Sequence, residues 1–154
     1  MNLDELYQTV ILDHAQRPRN YGELPQATAF AEGNNPSCGD EVTVYVKLDA
    51  NGEKIEDIKF KGAGCAISQA STSLMTVKLK GKTVAEASKF EKTFHDMMTA
   101  VTLPEYPQGF GDLQILEGVR KFPQRVKCAT LGWNALKQAL GGNSSHDPVT
   151  SENE

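Results

Sequence analysis

The stretch Val42-Thr43-Val44-Tyr45-Val46-Lys47-Leu48, entered from Asp40-Glu41, alternates strictly: Val42, Val44, Val46 and Leu48 fall on one side, Thr43, Tyr45 and Lys47 on the other. Side chains of an extended chain point to opposite faces with a period of two, so this segment is a strand with one face on a core and one toward water. Asp49-Ala50-Asn51-Gly52-Glu53 then reads as a turn, and Ile58 and Phe60 resume the alternation, which predicts an antiparallel hairpin. Ile55 is out of phase with them. The second strand runs out at Gly62-Ala63-Gly64 and delivers Cys65 to a breaker-free run from Ala66 to Lys80, closed by Gly81, which predicts a helix.

Immediately before the first strand stands Asn35-Pro36-Ser37-Cys38-Gly39-Asp40, a thiol and a carboxylate two residues apart with glycine between them. A residue without Cβ can take backbone angles closed to the others, so the chain can fold back and aim Cys38 and Asp40 at one point. Pro36 fixes its own φ and pushes Asn35 toward extended geometry. Because hairpin strands run in opposite directions, the start of the first lies beside the end of the second, and Cys38 and Cys65 are expected to meet at one edge of the sheet. The third cysteine lies in Arg125-Val126-Lys127-Cys128-Ala129. Together Cys38, Asp40, Cys65 and Cys128 would fill a tetrahedral site for a borderline-soft divalent metal, with zinc the default.

Taken singly, each cysteine reads as a small buried hydrophobe and Asp40 as a turn residue. Jointly the reading changes, because all three cysteines are expected at starts or ends of regular structure, where free backbone N–H groups favour a thiolate. Arg125 and Lys127 are cations at a helix start, an unfavourable place on dipole grounds. Three thiolates and a carboxylate around Zn²⁺ would leave a net negative charge that such cations offset. His14, His95 and His146 read as satisfied or exposed histidines.

The remaining chain frames this site. Leu3, Leu6, Tyr7, Val10, Ile11 and His14 follow helical spacing until Pro18. Residues 19–37, punctuated by Gly22, Pro25, Gly33 and Pro36, read as a loop. Thr83 and Glu86 form a capping-box pattern opening a helix with Phe90, Phe94, Met97, Met98 and Val101. Pro104 and Pro107 break the chain; a short helix over 113–119 follows, then Pro123, then a last helix from about Arg125 to Leu140 with Cys128 in its first turn. Residues 143–154, polar and almost without apolar side chains, are expected to form a disordered tail behind one domain over 1–142.

At 154 residues the chain is about one domain long, and its net charge of -4 argues against nucleic acid as the main partner. Its apolar runs are too short for a membrane span, and Met1-Asn2-Leu3-Asp4-Glu5 opens acidic, so a cytoplasmic protein is expected. Three cysteines, an odd number at long separations, suit a reducing compartment and metal-binding or reactive thiols.

Asn35-Pro36-Ser37-Cys38-Gly39-Asp40, Phe60-Lys61-Gly62-Ala63-Gly64-Cys65-Ala66-Ile67-Ser68 and Lys127-Cys128-Ala129-Thr130-Leu131 resemble, in order, the three motifs of the U-type iron-sulfur cluster assembly proteins (IscU, the NifU N-terminal domain, SufU). Asp13-His14 and Arg17-Pro18-Arg19-Asn20 extend the resemblance, which spans roughly residues 3 to 140. Lys127 stands where IscU-type members carry histidine, and the chain has an extra segment over roughly Lys82 to Gln108; both features resemble the SufU branch. The resemblance implies an α+β fold, a small antiparallel sheet of three strands with helices packed on one face, the third strand lying within 22–34 near Ala27 to Phe30. It also implies zinc held by Cys38, Asp40, Cys65 and Cys128, sulfur taken from a SufS-type cysteine desulfurase, and Arg125 as a basic residue near the site.

Three functions compete. In a sulfur relay, Cys38 would accept persulfide sulfur, with Arg125 assisting, and pass it to a downstream iron-sulfur scaffold or apo-protein. In a cluster scaffold, the same thiolates would hold an iron-sulfur cluster, against which Lys127 counts, since a charged lysine cannot replace a histidine ligand. In a structural zinc domain, four ligands would close the site, for which an asymmetric Cys-Gly-Asp on a loop is a poor staple.

Overall fold

The computed structural model describes residues 3–36, 39–141 and 145–150. Helix α1 (Leu3–Gln16) precedes strands β1 (Ala29–Asn35), β2 (Asp40–Leu48) and β3 (Ile55–Ala63). Then come α2 (Ala66–Leu79), α3 (Val84–Thr99), a 3-10 helix (Gly111–Lys121), α4 (Pro123–Leu140) and β4 (Ser145–Thr150). The sheet order is β3-β2-β1-β4, with β1, β2 and β3 an antiparallel meander and β4 parallel to β1. Val42, Val44, Val46, Ile58 and Phe60 all point into one core, where α4 and α2 cover the sheet. This is the expected α+β class. Among the described residues no helix is long and apolar enough to cross a membrane.

Several elements differ from expectation for identifiable reasons. The loop read from the residues over 19–37 contains the third strand that the resemblance implies, here β1, whose inward positions are Ala29, Ala31, Gly33 and Asn35. These are small or polar because α4 lies against them, so no run of large apolar residues marks the strand. Ile55 is fully buried despite its phase, because the β2–β3 register shifts between Lys47 and Leu48 and absorbs one residue. Helix α3 stops at Thr99 with Ala100 as C-cap, leaving Val101 fully exposed instead of on the buried stripe. The short helix is a 3-10 helix of eleven residues. Pro123 does not precede α4 at a distance but opens it, since the first helical position has no intrahelical use for an N–H; Cys128 therefore lies in the second turn. Residues 145–150 pair along the edge of β1. Pairing of that kind uses backbone groups and needs no apolar side chains, so composition does not reveal it.

The segment over Lys82 to Gln108 is α3 and its exit, and it braces the last helix. The Phe94 ring stacks on Trp133 of α4 at 4.5 Å and 12°. Arg120 of the 3-10 helix donates to the carbonyls of Met97 (3.0 Å) and Ala100 at the open end of α3. The C-terminal half of α3 thus holds both α4 and the chain that leads into it.

Helix α2 carries a buried hydroxyl stripe, Ser71, Thr72, Ser73 and Thr76. The end of α1 docks on it: Ser73 Oγ accepts the Arg19 N–H (2.9 Å) and lies 2.7 Å from His14 Nδ1, while Asn20 Nδ2 donates to Thr76 Oγ1 at 3.0 Å. The Ser73 hydroxyl is thus shared between the Arg19 N–H and His14 Nδ1. The Asp13-His14 and Arg17 to Asn20 segments therefore seat α1 on α2, and His14 is the satisfied histidine expected.

Burial, helped by the Arg19 charge and opposed by Asp13 and Asp112, holds the His14 pKa below the ordinary histidine value. A base with a depressed folded pKa takes up its proton later in the folded chain than in the unfolded one. Its contribution is intact above about pH 6.5 and is lost as the pH falls from there toward the folded value. Replacing His14 with asparagine, which keeps a hydrogen-bonding amide near the Nδ1 position and does not titrate, should flatten this part of the stability profile. Thermal melts of both metal-free proteins across that window measure the difference, and identical profiles would contradict the assignment.

Candidate metal centre

The connection from β1 to β2 runs from Pro36 to Gly39, and the residues at its two ends, Asn35 and Asp40, face each other in the sheet register. Gly39 has φ +73°, in the left-handed region, and its N–H donates to the Asn35 carbonyl at 2.9 Å. Glycine at this position therefore does what the sequence demanded of it, closing the connection. Antiparallel pairing sets Ala63 beside Glu41, so β3 ends where β2 begins.

At that end the chains approach too closely for side chains. A Cβ on Gly62 would stand 2.1 Å from the Glu41 carbonyl oxygen, and one on Gly64 would stand 2.4 Å from Asp40 Oδ1. The Asp40 carboxylate occupies the space that a side chain at 64 would take. Its Oδ1 accepts the Cys65 N–H at 2.8 Å, and its Oδ2 lies 3.8 Å from Cys65 Sγ.

Cys65 is the N-cap of α2, with extended φ and ψ of -72° and 166°, and its sulfur accepts the Ser68 N–H at 3.5 Å. Sulfur thus takes the part usually played by serine or aspartate, facing N–H groups that favour negative charge. Cys128, fully buried on α4, brings its sulfur to 3.7 Å from the Gln124 carbonyl and 3.8 Å from Asn35 Nδ2. Donor atoms of Asp40, Cys65 and Cys128 all lie within 4.8 Å of one another. Exposed Arg125 faces this group: the charges of Cys65, then of Cys128, and hydrogen bonds to both sulfurs push its pKa above the ordinary arginine value.

The donor set fits zinc. Tetrahedral ligands with bonds of about 2.0 to 2.3 Å lie roughly 3.5 to 3.8 Å apart. The 3.8 Å between Cys65 Sγ and Asp40 Oδ2 lies within about 0.3 Å of the ~3.5 Å expected for a sulfur–oxygen pair. Sequence reasoning grouped Asp40, Cys65 and Cys128 with Arg125 beside them, and the fold brings these four together. Cys38, the remaining expected ligand, lies outside the described residues. In the sequence Asn35 signals only an extended backbone before Pro36, yet it is fully buried and touches a sulfur.

A family model described as the NifU-like N terminal domain matches residues 6–145. The chain belongs to that family. It is 47% identical over 148 residues to the zinc-dependent sulfurtransferase SufU of Bacillus subtilis, covering 92% of this chain and 97% of the relative. It is 42% identical over 151 residues to the iron-sulfur cluster assembly scaffold protein IscU of Streptococcus pyogenes, covering 98% and 92%. Among solved structures, the SUF-system protein FiSufU of Fervidobacterium islandicum superposes with a TM-score of 0.78 at 41% identity, covering 85% of this chain and 93% of that one. The N-terminal NifU-like protein of Brucella abortus superposes with a TM-score of 0.79 at 27% identity, covering 90% and 94%.

Gly64→Ala should force the Asp40 carboxylate away from Cys65 while leaving α2 and the sheet formed. The expected result is a loss of zinc affinity of roughly 10- to 100-fold, the range seen when the positioning of a metal ligand is disturbed. Competition against a chromophoric chelator measures it, with circular dichroism to verify the fold. Unchanged affinity would contradict the link between the missing Cβ and the carboxylate.

Proposed function

We propose that this protein is a zinc-holding sulfur acceptor of iron-sulfur cluster assembly, acting in the cytoplasm, with Cys38, Asp40, Cys65 and Cys128 as zinc ligands. The donor is a cysteine desulfurase of the SufS type, and the sulfur passes on to an iron-sulfur scaffold or apo-protein. The observation that carries the reading is the convergence of Asp40, Cys65 and Cys128 within 4.8 Å at the end of the connection that bears the third thiol. Likeness to a relative named as a zinc-dependent sulfurtransferase supports it.

Bound zinc would supply one thing, the deprotonated state of its cysteine ligands at neutral pH. The chain's residues do the rest. Cys65 is committed to capping α2 and Cys128 is enclosed on α4, so the accepting sulfur is that of Cys38. Its thiolate attacks the outer sulfur of the partner's persulfide; the partner's S–S bond breaks, a new S–S bond forms on Cys38, and the partner's cysteine leaves as thiolate. The count of electrons is unchanged, so no oxidant is required. Arg125, facing the sulfurs, offsets the negative charge gathered at the site.

A second reading, assembly of an iron-sulfur cluster on the same thiolates, is favoured by likeness to a relative named as an IscU scaffold. Lys127 in place of a ligating histidine weighs against it.

Incubation with a SufS-type desulfurase and cysteine separates the readings. The zinc-loaded protein should raise desulfurase turnover and gain one sulfur atom by mass spectrometry, and Cys38→Ala should gain none. Sulfur uptake by Cys38→Ala would refute the assignment of the acceptor. A brown anaerobic product that hands iron and sulfide to an apo-protein would favour the scaffold.

A further inference from the structure

The register pair Asn35 and Asp40 forms one rung of the β1–β2 hairpin, and paired residues of a rung project to the same face of the sheet. Both are buried, at 0% and 1% exposure. Each reaches a different sulfur-bearing element. Asp40 holds the start of α2 through the Cys65 N–H at 2.8 Å, and Asn35 Nδ2 points to Cys128 Sγ on α4 at 3.8 Å. The connection that carries Cys38 leaves from one of these residues and returns at the other, closed by the Gly39 to Asn35 backbone bond.

A buried primary amide directed at sulfur does more than fill space. An apolar side chain of similar volume would fill the same space without the cost of burying a polar group. An N–H group is useful there if the sulfur carries charge, because hydrogen bonds to an ionised acceptor are the stronger ones. We propose that Asn35 is a positioning residue of the metal centre: its side-chain amide donates to the Cys128 thiolate, fixes that sulfur toward Asp40 and Cys65, and withdraws charge from it. Cys128 then stays the held, less nucleophilic sulfur, and sulfur transfer is left to Cys38. This rests on the reading of the cluster as a zinc site. It adds a residue that donates no ligand atom.

Asn35→Leu removes the donor while keeping the volume, and Asn35→Ala removes it with less risk of crowding at Pro36. Two readouts are used on purified protein without desulfurase. Zinc affinity by chelator competition should fall by roughly 10- to 100-fold in both variants. In the cobalt-substituted protein, the thiolate-to-cobalt charge-transfer band should move to longer wavelength at unchanged intensity, because a thiolate relieved of its hydrogen bond gives up charge more readily while the number of sulfur ligands stays the same. A merely structural role for Asn35 would change the intensity or the fold and not the band position. Wild-type affinity together with an unmoved band in either folded variant would overturn the proposal. Failure of the wild-type protein itself to bind zinc or cobalt through sulfur would instead overturn the zinc reading, and the two failures are thereby told apart.

Discussion

The hydrogen bond from the Cys65 N–H to the Asp40 carboxylate, 2.8 Å long, is the constraint on which the site depends. It ties the first residue of β2 to the residue that opens α2, and it does so across a gap that only glycine at 64 leaves open. The sheet contributes the opposite requirement, since its antiparallel register must bring the end of β3 back to the start of β2. Backbone topology and one carboxylate therefore place Cys65, and helix α4 arrives independently with Cys128. The arrangement concentrates acceptors of negative character in a partly buried space. That is costly unless a cation shares the charge, and Arg125 alone is exposed and peripheral.

Rigidity is distributed unevenly around this point. Cys65 is held as a helix cap, with backbone donors on its sulfur side. Cys128 is held by α4, and α4 is held by the stacked Phe94 and Trp133 rings and by the clamp of Arg120 on the end of α3. Gly132 lets α4 lie so close to α2 that a Cβ there would stand 2.3 Å from Thr72 Oγ1. The segment from Lys82 to Gln108 thus supports the element that delivers the last thiol.

Much of this was legible in the residues, and the exceptions share a cause. The alternation of Val42, Val44 and Val46 and the capping box at Thr83 and Glu86 are local signals, and both elements formed as the pattern required. Hairpin geometry, the argument that sets Cys38 beside Cys65, brings the start of β2 to the end of β3, where Asp40 meets Cys65. What stayed hidden was set by partners distant in sequence. Strand β1 is inwardly small because α4 presses on it; Ile55 is buried because a bulge resets its phase; β4 is held through backbone pairing along β1. Asn35 belongs to the same group. Next to proline it reads only as an extended backbone position, and its partner Cys128 lies 93 positions further along the chain.

The central claim is that three thiolates and the Asp40 carboxylate share one ion. X-ray absorption at the zinc edge of the zinc-loaded protein tests it most directly. The account predicts a four-ligand shell with three sulfur atoms at about 2.3 Å and one oxygen at about 2.0 Å. A shell with fewer than three sulfurs, or one containing imidazole nitrogen, would contradict it.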